Sequence, residues 1–580
     1  MLISFSFLTV SSVLLGGAAA TFIHPNANSA KCLTAASNAD GAAVEIEDCV
    51  SGGTTAQSWT ISGSTFANLR HQKWTVSGST IQWSGQSSCL DLTDGSVANG
   101  NLVQIWTCTG GPNQQWSQTT STSIPPTGLH QNLTANGITA FFPRRLRLLF
   151  CRPSLQQKAV LAGTAQNMQV VARSGGHSYI ANGLGGNNGA LVIDLSKMKA
   201  ITVRSSNNTA LIETGNRLGD VALALNAAGR AIPHGTCSYV GIGGHSGYGG
   251  FGFTSRAWGL TLDVIKSATV VLANGTIVTA SSTANTDLFW AIRGASPSFG
   301  IVTSIEVQTF PAPASAIVFQ YSWDSMDITT ASNAIASFQT FAASNIPPEF
   351  GAELVFSAGP SKSHVTVGWT GAWYGDAQLL NSTLAPYLKT LPAPSRSTIS
   401  PGNYINSVSV LAGQPLNTST AAENPDTFYT KSIMTPSGSP MSTAAITAFV
   451  TYMANQGFSS DTAWFVEVEL YGGSNSAINA VPLDSTAFAK RDTLFTIQLY
   501  ASSSNSAPPY PADGFTFMDG MAASIVSNSP ANWAYGAYLN YADDRLTNAS
   551  ALYYGSHLAR LQSIEAKVDP LDTFRIPIGV

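Results

Sequence analysis

Charge is scarce in this chain. Only 10% of its 580 residues are Asp, Glu, Lys or Arg, and the formal net charge is -4. No basic run is long enough to track a phosphate backbone, which excludes nucleic acid as a partner. Long apolar runs are missing beyond residue 20. Residues 1–20 are apolar and close on Gly16-Gly17-Ala18-Ala19-Ala20, which reads as a signal peptide, although no Lys or Arg precedes the apolar core. That core is shorter than the ~20 residues a membrane span needs, so no membrane partner is expected. Cysteine is sparse, at six. Cys32/Cys49 and Cys89/Cys108 form two similarly spaced couples, which suggests small disulfide loops in an oxidising compartment. Spacing alone would pair the two left over, Cys151 and Cys237, with each other. Sequons at Asn132, Asn207, Asn274, Asn381, Asn417 and Asn548 fit a secreted, extracellular glycoprotein. The length exceeds what one core supports and implies three or four structural units.

Residues 21–120 are rich in Ser, Thr, Gly and Trp and carry one pattern twice. Lys31-Cys32-Leu33 runs through Cys49 to Gln57-Ser58-Trp59. Ser88-Cys89-Leu90-Asp91 runs through Gln104-Ile105-Trp106-Thr107-Cys108 to Asn113-Gln114-Gln115-Trp116. Short alternating strands between Gly-rich turns imply an all-β, trefoil-like module. The Gln-x-Trp signature after a cysteine loop resembles the ricin B-type lectin repeat. That resemblance assigns sugar binding to Asp91, Gln104, Trp106, Asn113 and Gln114: carboxylate and amides for hydroxyls, an aromatic plane for the sugar's apolar face. Thr34 stands where Asp91 would be in the first copy, so that copy is expected to be mostly structural. The other reading is a purely structural β module.

After Pro125-Pro126, β-branched runs alternate with Ala-rich helical stretches. Arg173-Ser174-Gly175-Gly176-His177-Ser178-Tyr179 is a strand entering a glycine turn that ends on histidine, and such glycines let backbone N–H groups approach an anion closely. His234-Gly235-Thr236-Cys237 then leads into a run holding Gly241, Gly243, Gly244 and Gly247. Residues 247–252 satisfy G-x-G-x-x-G but lack the strand-before, helix-after context of a dinucleotide fingerprint. Together the two segments resemble the berberine-bridge-enzyme-like branch of the FAD-linked oxidases of vanillyl-alcohol oxidase type, which includes fungal glucooligosaccharide and chitooligosaccharide oxidases. The stretch 285–303, with Ile301, and the tail 553–574 extend the resemblance to the C-terminus.

The resemblance implies FAD held by two covalent bonds, His177 to the flavin 8α-methyl and Cys237 to C6. Arg173, Ser174, Gly175, Gly176, Ser178, Gly241, Gly243, Gly244, Gly247 and Ile301 would complete the cofactor site, with no metal. Tyr538-Leu539-Asn540-Tyr541-Ala542-Asp543 matches the family's Y-x-N-Y-x-D motif, which makes Tyr541 the base and Tyr538 its support. A phenol is too weak a base at neutral pH without help. The strand pattern of Trp464-Phe465-Val466-Glu467-Val468-Glu469 puts Glu467 and Glu469 on one face. In the resembling oxidases the position of Glu469 is usually acidic and near the base, and that of Glu467 an amide or polar residue. Glu469 is therefore expected to accept a proton through a hydrogen bond, with Glu467, Gln498 and Tyr179 on the substrate side.

The implied class is α+β: a two-part FAD-binding domain (133–312 and 531–580) around an inserted substrate domain of antiparallel sheet plus helices (313–530). The trefoil-like module (21–120) and a linker (121–132) precede it. The implied activity is oxidation of an oligosaccharide C1 hydroxyl to a lactone, with O2 reduced to H2O2, by a monomer that also binds polysaccharide or glycan through its front module. Two alternatives remain: an oxidase of a small aromatic or alkaloid metabolite, and a sugar-binding pseudoenzyme. The basic, apolar stretch 144–152 departs from the family and reads as too short for the first strand and pyrophosphate loop of the FAD domain, as a misplaced exon boundary would leave it. FAD retention would then be impaired, and Cys151 has no role.

Overall fold

The computed structural model describes residues 21–25, 28, 30–35, 44–49, 61–62, 65–67, 73–77, 79–83, 87–99, 101–120, 146–149, 153–186, 189–419 and 426–580. The signal-peptide stretch, Gln57-Ser58-Trp59, Asn132 and Cys151 lie outside them. The chain divides into two compact units, Met1–Asn132 with Phe142–Arg144 and Leu133–Phe141 with Arg145–Val580.

In its described residues the first unit is built of β-strands with two short 3-10 turns, Thr93–Gly95 and Pro112–Gln114. An antiparallel run passes from Lys31–Ala35 through Val44–Asp48 and Asn101–Thr107 to Ser88–Leu92, while Thr21–Pro25 pairs with Trp116–Thr120. Its small core gathers Ile23, Leu33, Ile46, Ile81, Leu90, Leu92, Val103 and Trp116. The Trp116 indole N–H donates to the Leu90 carbonyl at 3.0 Å, which satisfies the ring's polar atom inside that core. Both sequence-expected cysteine couples are disulfides, Cys32–Cys49 and Cys89–Cys108.

The second unit carries three main sheets. Leu146–Leu149 and Val170–Arg173 flank Leu191–Asp194 in a three-stranded parallel sheet. The stretch 144–152 therefore does supply a first strand, contrary to that part of the expectation from its length, while residues 150–152, where the loop is expected to be missing, lie outside the described residues. Its strand is four residues long, and so is each partner, so the short segment suffices for the register Leu146↔Leu191 to Leu149↔Asp194. A five-stranded antiparallel sheet contains Ile265–Val271 and Ile301–Gln308.

The seven-stranded antiparallel sheet sets up the candidate site. Its order is Arg396–Gly402, Ala316–Asp327, His364–Trp373, Phe350–Ala358, Thr462–Leu470, Thr493–Ser503 and Phe428–Pro436. Strand alternation splits its side chains. Leu354, Phe356, Trp369, Val466, Val468, Ile497 and Leu499 enter a core with Phe338 of Ile328–Ala343, Phe449 of Thr443–Asn455 and Met518 of Ala512–Val526. The intervening positions, Glu353, Thr370, Glu467, Glu469 and Gln498, line a cavity on the other face. The C-terminal segment returns to the first sheet: Val170 N–H donates to the Thr573 carbonyl at 2.8 Å, and the Gln169 amide to the Arg575 carbonyl at 2.7 Å.

A disulfide contributes mainly by limiting the unfolded chain, more than a core of this size can easily replace. Replacing Cys89 and Cys108 together by Ser should lower the stability of the first unit by about 3 kcal/mol. An unchanged denaturant midpoint for that unit would contradict this.

Candidate active site

Two glycine segments far apart in sequence meet backbone to backbone. A Cβ on Gly175 would run into the Gly241 backbone, and one on Gly241 into the Gly175 nitrogen, so neither position admits a side chain. Gly176 adds a left-handed turn, φ +80°. The Ser174 hydroxyl fastens the contact by donating to the Thr214 carbonyl at 2.5 Å and accepting from Gly243 N–H at 3.2 Å. As a result His177 Nε2 and Cys237 Sγ, sixty positions apart, lie 3.9 Å from each other. The Gln414 amide also reaches Cys237 Sγ, at 3.4 Å.

His177 and Cys237 line a cavity of about 430 Å3 together with Ser174, Gly175, Gly176, Ser178, Gly241, Gly243, Gly244, Ile301 and the C-terminal Phe574, Ile576 and Ile578. Around Gly244 a Cβ would meet nothing within 4 Å, so backbone there is open to a closely approaching group. An imidazole and a thiol side by side over a glycine cradle suit a flavin: two nucleophilic atoms for one ring, and bare backbone where a phosphate could come near. Two sequence candidates sit elsewhere. Arg173 is paired with buried Asp194 at 2.7 Å and does not line the cavity. Gly247 gives close packing instead, since a Cβ there would meet Ser296 Cβ at 2.8 Å.

The sheet wall of the same cavity holds the tyrosines and acids. Tyr541 OH donates to Glu469 Oε1 at 2.8 Å, and the Gln498 amide donates to Tyr179 OH at 2.8 Å. The Tyr179 and Tyr541 rings meet edge to face at 6.0 Å between centroids. Tyr538 stands behind Tyr541, its hydroxyl accepting from Gly250 N–H at 2.9 Å and the Asn540 amide at 3.0 Å. Asn540 also donates to the His245 carbonyl at 3.0 Å, which ties the tyrosine motif to the second glycine segment.

Sequence reasoning missed Glu353. It pairs across the sheet with Glu469, and Glu353, Glu467 and Glu469 offer carboxylate oxygens all within 4.8 Å of one another. The only sequence signal is a lone acid in the apolar strand Phe350–Ala358, which reads equally as a solvent-facing residue; the cross-strand register decides otherwise. Burial raises all three acids. It pushes Glu467 up to about 7, while Glu353 and Glu469 are raised further by the neighbouring charge of Glu467. Burial, then the charges of Glu469 and Glu467, push the Tyr541 phenol well above its ordinary value. A free Tyr541 phenolate is thus disfavoured, and the hydrogen bond to Glu469 is the route by which its proton can leave.

Asp543 anchors the motif from below. It is 1% exposed and accepts from Tyr429 OH at 2.8 Å and Lys431 Nζ at 2.6 Å. Burial opposes the Lys431 charge, but Asp543 and Asp519 outweigh it and the net direction is upward.

In the first unit, Trp106 is 59% exposed, as a sugar-stacking ring should be. Asp91 is buried and accepts from the Gln104 amide at 3.1 Å and the Gln114 amide at 3.0 Å. Gln114 is fully buried, donates also to the Thr107 carbonyl and accepts from Thr109 and Gly110 N–H, so its amide positions Asp91 and the loop. Asn113 is half-buried beside Gly95.

Family models match the chain as "FAD binding domain" over residues 154–281, "Berberine and berberine like" over 537–580 and "Ricin-type beta-trefoil lectin domain" over 19–148. The chain is 38% identical over 430 residues to a chitooligosaccharide oxidase of Gibberella zeae, covering 73% of this chain and 84% of that one. It is 38% identical over 439 residues to a glucooligosaccharide oxidase of Sarocladium strictum, covering 73% and 84%. Among solved structures, glucooligosaccharide oxidase from Acremonium strictum, described as carrying 6-S-cysteinyl, 8α-N1-histidyl FAD, aligns with TM-score 0.72 and 34% identity over 78% of this chain and 99% of that one.

Two outcomes follow from the buried charges. Asp543→Asn leaves the Lys431 ammonium with the Tyr429 hydroxyl, and the half-exposed Asp519 as its remaining counter-charge, and should destabilise the second unit by about 3 kcal/mol in denaturant unfolding; an unshifted midpoint would refute the anchoring role. Glu467 holds its proton more tightly folded than unfolded, so its contribution to stability is full at acid pH and is lost as pH rises through about 7. Glu467→Gln should therefore raise the melting temperature more at about pH 8 than at about pH 5. Equal shifts at both would count against the raised value.

Proposed function

The chain belongs to the berberine-bridge-enzyme-like FAD-linked oxidases, and from that premise we propose that it is a secreted oligosaccharide oxidase that converts the C1 hydroxyl of a reducing-end sugar to a lactone. The observation that carries this reading is the Tyr541–Glu469 hydrogen bond, 2.8 Å long, on the wall of the cavity that also holds His177 and Cys237. His177 and Cys237 would hold FAD at the 8α-methyl and C6 positions. When bound, FAD supplies the hydride acceptor and returns the electrons to O2, giving H2O2.

Tyr541 is the group that takes the C1 hydroxyl proton. As that proton arrives on the phenol oxygen, the phenol's own proton moves to Glu469 Oε1, so no free phenolate forms. The upward shift of Glu469 suits this, because a carboxylate that binds its proton tightly is the better acceptor. Tyr538 and Asn540 hold the Tyr541 turn against the second glycine segment. Gln498 keeps the Tyr179 hydroxyl oriented toward the cavity's acid wall. Acids and an amide on that wall favour a polyhydroxylated substrate over a small aromatic one.

The first unit adds a means of holding the enzyme at polymeric sugar, with Trp106 as the stacking plane beside Asp91 and Gln104. Secretion is supported by the two disulfides. Among the described residues no helix is long and apolar enough to cross a membrane.

The test is peroxide formation with cello-, malto-, xylo- and chito-oligosaccharides, alongside the visible spectrum of acid-precipitated protein. Flavin should stay with the precipitate in the wild type, and be released on denaturation only when His177→Ala and Cys237→Ser are combined. Tyr541→Phe should lower kcat by about 10²-fold or more while retaining bound flavin. Colourless protein, or a Tyr541→Phe variant of undiminished turnover, would overturn the reading.

A further inference from the structure

Resting on the oligosaccharide-oxidase reading, we infer that the acid wall of the cavity is built for a cationic sugar, an oligosaccharide whose reducing-end unit carries a protonated amine. The observation is a charge imbalance. Glu353, Glu467 and Glu469 place carboxylate oxygens within 4.8 Å of one another, yet among the described residues no Lys or Arg lines the cavity. Like charges that close cannot all be ionised unless a cation enters or protons are shared. The nearest built-in donors do not resolve this. Tyr541 serves one oxygen of Glu469, and Gln498 is committed to Tyr179. The second Glu469 oxygen, Oε2, is buried with no hydrogen-bond partner, and Glu469 is only 5% exposed.

A neutral sugar hydroxyl could satisfy one such oxygen but would leave the like-charge repulsion in place. A sugar ammonium offers three N–H donors and the missing positive charge at once, and its hydrogen bonds to carboxylates are charge-assisted. It is also compact enough to lie against residues on two adjacent strands, Phe350–Ala358 and Thr462–Leu470. Binding would draw the acids into their ionised forms and release protons.

The other titratable groups facing the cluster are Tyr179, Tyr471, Tyr538 and Tyr541, with Cys237 beyond Tyr179 and His177 and His245 further along the cavity lining. Burial raises all four phenols and lowers His245 to about 3, so on the acid wall itself the carboxyls are the groups that change charge across the neutral range. The acids carry protons up to about pH 7, the value for Glu467, and above about pH 9 a sugar amine has lost its own. Discrimination should therefore peak near neutrality.

The experiment compares kcat/KM of the holoenzyme for the β-1,4 dimers of glucosamine, N-acetylglucosamine and glucose from about pH 5 to about pH 9. In parallel, the alditols of the same dimers, which lack the reacting hemiacetal, are titrated calorimetrically in two buffers of different ionisation heat. We expect at least about a tenfold preference for the amine near pH 7, fading on both sides, with proton release on binding. Glu467→Gln and Glu353→Gln should each reduce the preference about tenfold. Equal or better use of the neutral dimers at every pH, or tight alditol binding without amine preference, overturns the inference and leaves the oxidase reading intact. Amine dependence replaced by dependence on added Ca2+ also overturns it. No turnover of any dimer refutes the oxidase reading instead, while the alditol titration still decides the amine question.

Discussion

The contact between Gly175 and Gly241 is a place where two backbones touch without side chains between them, and the rest of the candidate site follows from it. The turn after Val170–Arg173 can carry His177 to Cys237 only because nothing but hydrogen stands at either glycine. The Ser174 hydroxyl, bonded to both Thr214 and Gly243, holds the same junction from the side. From the second segment the chain continues through His245 to Gly250, and Asn540 and Tyr538 attach to those points. One steric requirement thus sets the spacing between the His177–Cys237 pair and the tyrosine motif.

A chain with so few charges places several of them inside. Arg173–Asp194, Arg491–Asp263 and Lys431–Asp543 are each buried on at least one side, with contacts of 2.6 to 2.7 Å. Each has a partner, as a buried ion requires. Arg256, also buried, is held by backbone carbonyls instead, whereas the acid trio has neither arrangement, its members repelling one another with no cation among the described cavity-lining residues. In a purely structural role that arrangement is a liability, which is why its place on a cavity wall bears on the proposed substrate.

The first unit repeats this logic at small scale. Asp91 is buried between two amides, which fixes its carboxylate, while the neighbouring Trp106 ring remains outside. Gln114 of the Gln-x-Trp signature turns out to be inside the fold. Motif resemblance could not separate a residue open to a ligand from one held inside the fold.

Much was legible from the sequence alone. Glycine density around His177 and Cys237, the Tyr538–Asp543 motif and the cysteine couples are local patterns, and each follows from what its own residues permit. Strand alternation put Glu467 and Glu469 on one face for the same reason. Cross-strand register is not local. It decided that Glu353 joins them, that Leu146–Leu149 is long enough to extend the parallel sheet, and that Arg173 pairs with Asp194, while helix packing against Ser296 sets Gly247 apart from the cavity. The sequence by itself determined which chemical groups exist and which face of their own strand they occupy; only the tertiary structure decided which of them share a desolvated space, because pKa shifts and proton relays depend on distances between segments that periodicity cannot measure.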